Sequence, residues 1–166
     1  KKYESGYLFI GVPHILGEGL IDYQGILQYE PITPGNVVYP GEIIFSKINP
    51  RIPRGLVVPD LGANLLCSSE FEVIKPTKQV DAYAILFLLL SPLVQKQIKN
   101  LTSGTSASHS RIKTKDLGAL QIPIPKMGTA TEKEFKELVK QYRQYVNNLI
   151  TNTIFLSNIR IKKDFQ

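Results

Sequence analysis

The segment that follows residue 130 most constrains what this chain can fold into. Its apolar side chains recur at alternating steps of three and four residues, the spacing of one face of a coiled-coil helix. The pattern predicts a helix from residue 131 to about residue 162, roughly 48 Å long at about 1.5 Å per residue. A small domain does not need so long a helix for its own packing, so this one must find another helix. The predicted coiled-coil interface comprises Phe135, Leu138, Tyr142, Tyr145, Leu149, Asn152, Leu156 and Ile159.

The same helix carries apolar residues beside this interface. Val139, Val146 and Ile150 widen the stripe beyond what two paired helices bury. We therefore expect one flank of the helix to pack on the domain or on a third helix. Asn152, a polar residue within the stripe, either fixes the helix register or is an ordinary polar position where the helix frays.

The start of the helix gives a domain boundary. Thr131 and Glu134 have the spacing of a capping box, in which each side chain satisfies a backbone N–H of the first turn. The sequence predicts two parts, a strand-rich domain at residues 1–125 and a long coiled-coil helix at residues 126–166.

A loop rich in hydroxyl groups lies ahead of this boundary. Residues 101–111 contain six serine and threonine side chains, a composition that cannot build a core and predicts an exposed loop. Such a run is either a solvated linker or, because it lies between a helix signal and a strand signal and leads into three cations, a surface that touches phosphates or base edges. Candidates for DNA contact are Ser103, Thr105, Ser106, Ser108, His109, Arg111 and Lys113.

A second basic cluster follows a predicted strand near residue 45. Lys47, Asn49, Arg51 and Arg54 surround two prolines, which stiffen the loop that carries the two guanidinium groups. By composition the cluster is a solvated turn or a DNA-facing loop, and both interpretations stay open.

A third candidate, Ser68, Ser69 and Glu70, precedes another predicted strand. Glutamate can accept a hydrogen bond from the N4 amino group of cytosine, and serine can bond to any base. The alternative is an ordinary turn at the entry to a strand.

The remaining patterns complete the predicted fold. Short apolar runs broken by glycine and proline before residue 40 predict strands and loops rather than helices. Asp81 and Ser91 are each predicted to cap one member of a helix pair. The fold class is α+β: a small, mixed, strand-rich domain with a helix pair, followed by the long C-terminal helix. Predicted strands are 42–48, 56–58 and 71–74, with 64–70 as a connection; the helix pair spans 81–101 and an edge strand spans 117–125.

Several ordered blocks of sequence resemble a known family. They are Pro40-Gly-Glu-Ile-Ile-Phe-Ser-Lys-Ile-Asn-Pro-Arg51, then Val57-Val-Pro59 and Cys67-Ser-Ser-Glu-Phe-Glu-Val-Ile74, then Thr102-Ser-Gly-Thr-Ser-Ala-Ser-His-Ser-Arg111 with Ile122-Pro-Ile-Pro125. In order and spacing they resemble a target recognition domain of type I restriction-modification specificity subunits. One departure is that Lys126-Met-Gly-Thr stands where that family commonly has a Glu-Gln pair.

The resemblance implies a function without catalysis by this chain. It implies recognition of one half-site in double-stranded DNA, with the long helix pairing with a counterpart. The chemistry would belong to partners: a DNA methyltransferase subunit that uses S-adenosylmethionine, and a nuclease/translocase subunit that needs ATP and Mg²⁺. We expect no cofactor bound by this chain and a homodimer formed through the helix. The alternatives are a protein–protein assembly module and the recognition domain of a longer single-chain DNA adenine methylase.

Composition agrees with a DNA partner and argues against catalysis. Lys and Arg total 20 against 14 Asp and Glu, a net charge of +6 that favours a polyanion without requiring one. Asn49-Pro50 lacks the second proline and the aromatic residue of the adenine methyltransferase motif, and two histidines with one cysteine cannot supply a zinc site of the usual spacing. The longest apolar run, residues 82–90, is about half a membrane span. We expect a cytoplasmic protein that is not membrane-bound.

Overall fold

The computed structural model describes residues 6–103 and 110–163. These residues form an α+β fold, as predicted, with short strands followed by helices. The strands are β1 (Tyr7–Ile10), β2 (Ile15–Gly17), β3 (Leu20–Ile21), β4 (Gly35–Val38), β5 (Ile43–Ser46), β6 (Gly55–Val57), β7 (Asn64–Ser68) and β8 (Phe71–Ile74). The helices are α1 (Tyr23–Gln28), α2 (Ala82–Leu89), α3 (Pro92–Leu101), α4 (Thr114–Gly118) and α5 (Ala130–Lys163), with a 3-10 turn at Val12–His14.

Two three-stranded sheets form the centre of the fold. In the first, β7 lies between β1, to which it is parallel, and β4, to which it is antiparallel. In the second, β5 lies between β6 and β8 and is antiparallel to both. A hairpin of β2 and β3 lies beside them. The predicted strands around residues 45, 57 and 73 are therefore confirmed.

The prediction that residues 64–70 only connect two strands is wrong. Five of them form β7, the central strand of the first sheet, where Leu65, Leu66 and Cys67 are all buried. A strand covered on both faces shows no alternation of apolar and polar residues, and three apolar residues are too short a run to be identified without it.

A helix was also missed in the N-terminal region. The glycine and proline punctuation predicts only strands and loops there, but α1 forms because Asp22 accepts a hydrogen bond from the Gly25 N–H at 2.9 Å. Its residues Tyr23 and Ile26 are buried in the core. A six-residue helix with a glycine inside it has too little periodicity to be seen in the sequence.

The predicted helix pair is confirmed, and both predicted residues occupy the N-cap positions, although only Asp81 makes a side-chain capping bond. The Asp81 carboxylate accepts from the N–H groups of Tyr83 at 2.9 Å and Ala84 at 3.2 Å. Ser91 is the N-cap residue of α3, ahead of Pro92, but its hydroxyl makes no capping bond and donates to the Leu88 carbonyl at 2.6 Å. The last carbonyls of α2 lack helical partners, and Ser91 is close enough to satisfy one of them.

The predicted edge strand at residues 117–125 is wrong as well. Its first residues belong to α4, and residues 119–125 form no strand. Instead, the Gln97 side chain of α3 bonds to both the N–H and the carbonyl of Gln121, at 3.0 and 2.9 Å. Pro123 and Pro125 lack N–H groups, so a side-chain amide holds this segment where a neighbouring strand could not.

The long helix predicted after residue 130 is confirmed by α5, which has 34 residues. Its predicted cap is wrong by two residues: Thr129 accepts from the Glu132 N–H at 3.2 Å, and Glu132 accepts from the Gly128 N–H at 2.6 Å. Val139, Val146 and Ile150 are buried, and α5 contacts α1, α2 and β3. This confirms that one flank packs on the rest of the chain. The domain boundary at residue 125 stays a prediction.

Candidate nucleic-acid interface

Three loops that are far apart in sequence meet at the end of β5. The Lys47 N–H donates to the Glu70 carbonyl at 2.8 Å, and the Lys47 carbonyl accepts from the Ile112 N–H at 3.0 Å. The Asn49 N–H donates to the Ser110 carbonyl at 3.0 Å. We call the resulting surface, made of residues 47–54, 68–72 and 110–115, the loop junction. It brings together the three stretches that the sequence marked separately as candidates for DNA contact.

Asn49 and Ser110 shape the centre of the loop junction. Asn49 has a φ of 46°, in the left-handed region that asparagine tolerates better than other side chains do. The buried hydroxyl of Ser110 donates to the Asn49 side-chain oxygen at 3.4 Å. These contacts give Asn49 a structural role at the junction. Ser110 was not predicted as a site residue, although it belongs to the hydroxyl-rich stretch.

Two of the side chains predicted to contact DNA form an ion pair with each other. The Arg111 guanidinium forms two parallel hydrogen bonds with the Glu70 carboxylate, from Nη1 at 2.5 Å and from Nη2 at 3.0 Å. The Arg111 side chain is 58% exposed and that of Glu70 30%. Such a bidentate pair fixes the orientation of both groups.

A second carboxylate, Glu72, holds the neighbouring cation. The Lys47 ammonium lies 3.8 Å from the Glu72 carboxylate, which also accepts from the Thr114 hydroxyl at 2.6 Å. Sequence analysis missed Glu72, and its position two residues after Glu70, the period of side chains along a strand, was the signal that could have found it.

Other cations of the loop junction have no partner of opposite charge in the described part of the chain. Arg51, Lys113 and Lys115 are exposed, and Arg54 is half-buried. No carboxylate of residues 6–103 or 110–160 lies within ion-pair distance of any of the four. They are the groups best placed to neutralise an external anion.

The predicted hydroxyl groups are only partly described. Ser69 is exposed, and the half-buried Ser68 accepts from the Glu70 N–H at 3.2 Å. Ser103 is exposed, and its backbone bonds to that of Arg111 in both directions at 2.9 Å. The other predicted candidates in this stretch, Thr105, Ser106, Ser108 and His109, lie outside the described residues.

The predicted coiled-coil residues of α5 divide between two faces. Phe135 and Tyr142 face the domain: both pack on Phe87, with ring centroids 6.1 and 5.6 Å away, and burial raises the pKa of Tyr142. For these two the structure differs from the prediction, because the chain's own core occupies them. The other six form a second face, the exposed stripe, in which Leu149 is half-buried and the rest are exposed: Leu138, Tyr145, Leu149, Asn152, Leu156 and Ile159.

Potential metal-ligating and nucleophilic side chains of the described residues are either dispersed or buried. The described residues contain no cluster of three or more His, Cys, Asp and Glu side chains able to hold a metal ion. Cys67 is buried, and that burial raises the pKa of its thiol to about 12, so the nucleophilic thiolate is disfavoured. Burial lowers the pKa of His14, whose Nδ1 accepts from the Gly11 N–H at 2.9 Å. Across the same residues, no helix is long and apolar enough to cross a membrane.

The chain is similar in fold to a solved protein chain. No protein-family profile and no curated protein matches the chain. A solved chain does, from work on complex assembly and conformational transition of the type I R-M system, with a TM-score of 0.55 over 94% of this chain. This chain shares a fold with that type I R-M chain. The two are 18% identical, and the alignment covers 38% of the solved chain, so the likeness is one of fold to a part of a longer protein.

Proposed function

We propose that this chain is a sequence-specific DNA-recognition domain of a type I restriction-modification specificity subunit or half-subunit. It would direct methylase and nuclease subunits to one half-site of a target. The observation that carries the proposal is the loop junction, where three separately predicted stretches form one surface whose cations include four with no ion-pair partner among the described residues. The shared fold with a type I R-M chain supports it.

The loop junction suits two kinds of DNA contact. Arg51, Lys113 and Lys115 present exposed charges that can neutralise phosphates, the contact that supplies most sequence-independent affinity. Arg111 carries the planar fork that pairs with guanine O6 and N7 in the major groove. Phosphate contacts would set register on the duplex, and Arg111 would contribute base choice.

The proposed partners follow from α5 and from the fold. The exposed stripe gives a second copy of this chain, or a counterpart helix of the same kind, an apolar face to pair with. Methyl transfer from S-adenosylmethionine and ATP- and Mg²⁺-dependent cleavage would be performed by the methyltransferase and nuclease/translocase subunits. Within this proposal the chain binds DNA and subunits and holds none of these cofactors.

A second candidate function is a protein–protein assembly module. The observation that favours it is a groove of about 820 Å³ between the start of α2, residues 124–127 and α5. Ile124, Met127, Phe135 and Val139 contribute to its lining, and Met127 is 83% exposed. An apolar groove of this kind suits a peptide or helix of another protein.

Selection from a randomised duplex pool separates the two functions. The chain is incubated with the pool alone and with a type I methylase subunit, and the bound duplexes are sequenced. Enrichment of a short, position-specific base pattern is expected for a recognition domain. Binding to the methylase subunit without any base enrichment would support the assembly module and contradict the recognition function.

A further inference from the structure

We propose that Glu70 is a specificity-determining residue. In the DNA-free protein it holds the Arg111 guanidinium in an ion pair, and it releases that guanidinium when guanine is available to bond to it. This inference rests on the proposed function and adds to it the residue that controls base choice. It begins from the bidentate pair between the two side chains, at 2.5 and 3.0 Å.

The first step concerns which nitrogen atoms the pair occupies. Nη1 and Nη2 of Arg111 each bond to a different oxygen of Glu70. A bidentate contact from the guanidinium to guanine O6 and N7 needs two N–H groups in the same parallel arrangement. While the pair is closed, Arg111 therefore cannot offer that end of its fork to a base.

The second step concerns what can open the pair. Solvent-exposed ion pairs typically stabilise their closed state by about fivefold or less, with bidentate pairs at the upper end, whereas a bidentate base contact discriminates by about 5- to 150-fold. Adenine and thymine each present one acceptor at the major-groove edge, and cytosine presents a donor. Only guanine offers two acceptors, so only guanine replaces both bonds that Arg111 gives up.

A G·C pair also offers Glu70 a substitute. The N4 amino group of cytosine, which lies in the same groove as guanine O6, donates a hydrogen bond that a carboxylate can accept. Both members of the protein pair then exchange one partner for another on the same base pair. At an A·T pair the Glu70 carboxylate could accept from the adenine N6 amino group, but Arg111 would find a single acceptor on each base, so only one of its two bonds would be replaced.

The third step is that opening needs only side-chain rotation. The backbone of Arg111 is held by two hydrogen bonds to Ser103, each 2.9 Å, and the Glu70 carbonyl is held by the Lys47 N–H at 2.8 Å. These bonds fix both Cα positions at the loop junction. Release of Arg111 therefore leaves the three loops in place.

Glu72 provides a comparison within the same surface. Its carboxylate lies 3.8 Å from the Lys47 ammonium. Replacing Glu72 by glutamine removes one negative charge, as replacing Glu70 does. Lysine carries a single compact charge without a planar fork, so releasing it strengthens contact with phosphate and leaves base choice unchanged. The two carboxylates should therefore affect different properties of binding.

The test compares three variants that each remove one negative charge: Glu70→Gln, Glu72→Gln and Glu137→Gln. Glu137 lies on α5 and pairs with Lys140 there, so its variant controls for net charge alone. The intact chain and each variant are taken through selection from a randomised duplex pool, and affinity for the unselected pool is measured. Thermal denaturation of each variant confirms that it is folded.

We expect Glu70→Gln to lose guanine enrichment at one position by about fivefold or more and to bind the unselected pool a few-fold more tightly than Glu137→Gln. Glu72→Gln should bind that pool more tightly with its enrichment unchanged. Glu70→Asp keeps the charge but shortens the reach to Arg111, so it should lose the same enrichment without the general gain.

Two results would overturn the inference, and they are distinguishable. If Glu70→Gln and Glu70→Asp keep the original base enrichment, Glu70 does not control base choice and the proposed function stands. If the unmodified chain binds no duplex at low salt, the inference and the proposed function both fail.

Discussion

The Tyr142 hydroxyl of α5 donates a hydrogen bond to the carbonyl of Glu18 at 3.0 Å, across 124 positions of sequence. Glu18 itself has a φ of 50°, a backbone conformation that few side chains adopt readily. The ring of Tyr142 also packs on Tyr83 and Phe87. The long helix is thus attached to the earliest strands of the fold by a specific polar contact as well as by apolar packing.

Removing that hydroxyl should weaken the whole fold. We expect Tyr142→Phe to lower the free energy of unfolding by about 0.5–1.5 kcal/mol, because it deletes one hydrogen bond and keeps the ring. Urea denaturation measures the change. Tyr39→Phe, at an exposed tyrosine outside the long helix, is the matched control and should leave stability unchanged. Equal effects of the two substitutions would contradict the contact.

Tyr142 should also make the free energy of unfolding depend on pH in the alkaline range. Burial raises the pKa of Tyr142 above the ordinary tyrosine value near 10, so the folded protein keeps a proton that the unfolded chain loses. Its contribution to stability is full below pH about 10 and is lost as the pH rises from there toward the folded-state pKa. Unfolding free energies on either side of pH about 10 should show a steeper loss in the unmodified chain than in Tyr142→Phe. Parallel pH profiles would contradict this.

The exposed stripe on α5 predicts self-association. Leu138 and Leu156 are 51% and 54% exposed and lie on this stripe, so a second copy of the chain should cover them. We expect a dimer, antiparallel by preference, that the double substitution of both leucines by Glu converts to monomers, because pairing would bury unpaired charge. Leu93→Glu, at an exposed leucine of α3, is the control. A monomeric unmodified chain at high micromolar concentration by sedimentation would contradict the dimer.

Phosphate and base contacts at the loop junction should separate by mutation. Arg111→Ala and Arg51→Ala are each expected to cost about 1–3 kcal/mol on a selected duplex and much less on a scrambled one, with the larger loss at Arg111. Lys113→Ala should weaken both duplexes about equally and lower the salt slope by about one. Affinities at two salt concentrations decide it. Equal losses on both duplexes for all three substitutions would leave only a non-specific basic surface.

The features that depend only on nearby residues could be predicted from the sequence. The features that depend on contacts between distant segments of the chain were missed. The period of three and four in α5 and the Asp81 cap are local, and both were predicted correctly. The cap of α5 lies two residues earlier than predicted, because Thr129 and Glu132 satisfy the first turn before Thr131 can. Strand β7 was missed because both of its faces are covered, which removes the alternation that marks a strand.

The candidate site shows the same division. Its cations and hydroxyl groups were visible as composition, so Lys47, Arg51 and Arg111 could be named individually. The pairing of Arg111 with Glu70 spans 41 positions, and no pattern along the chain encodes a contact between side chains brought together by the fold. Likewise, the coiled-coil spacing of α5 could be predicted from the sequence. The packing of Phe135 and Tyr142 on α2 could not, because it depends on where the fold places α2.

The central claim is that the three loops of the loop junction form one DNA-binding surface. Amide hydrogen exchange of the intact chain, with and without a selected duplex, tests it most directly. Protection on DNA binding is expected together at residues 47–54, 68–72 and 110–115, where the loops share backbone hydrogen bonds. Residues 138–156 of α5 should show no change caused by DNA. Protection confined to α5 or to one loop alone would contradict the account.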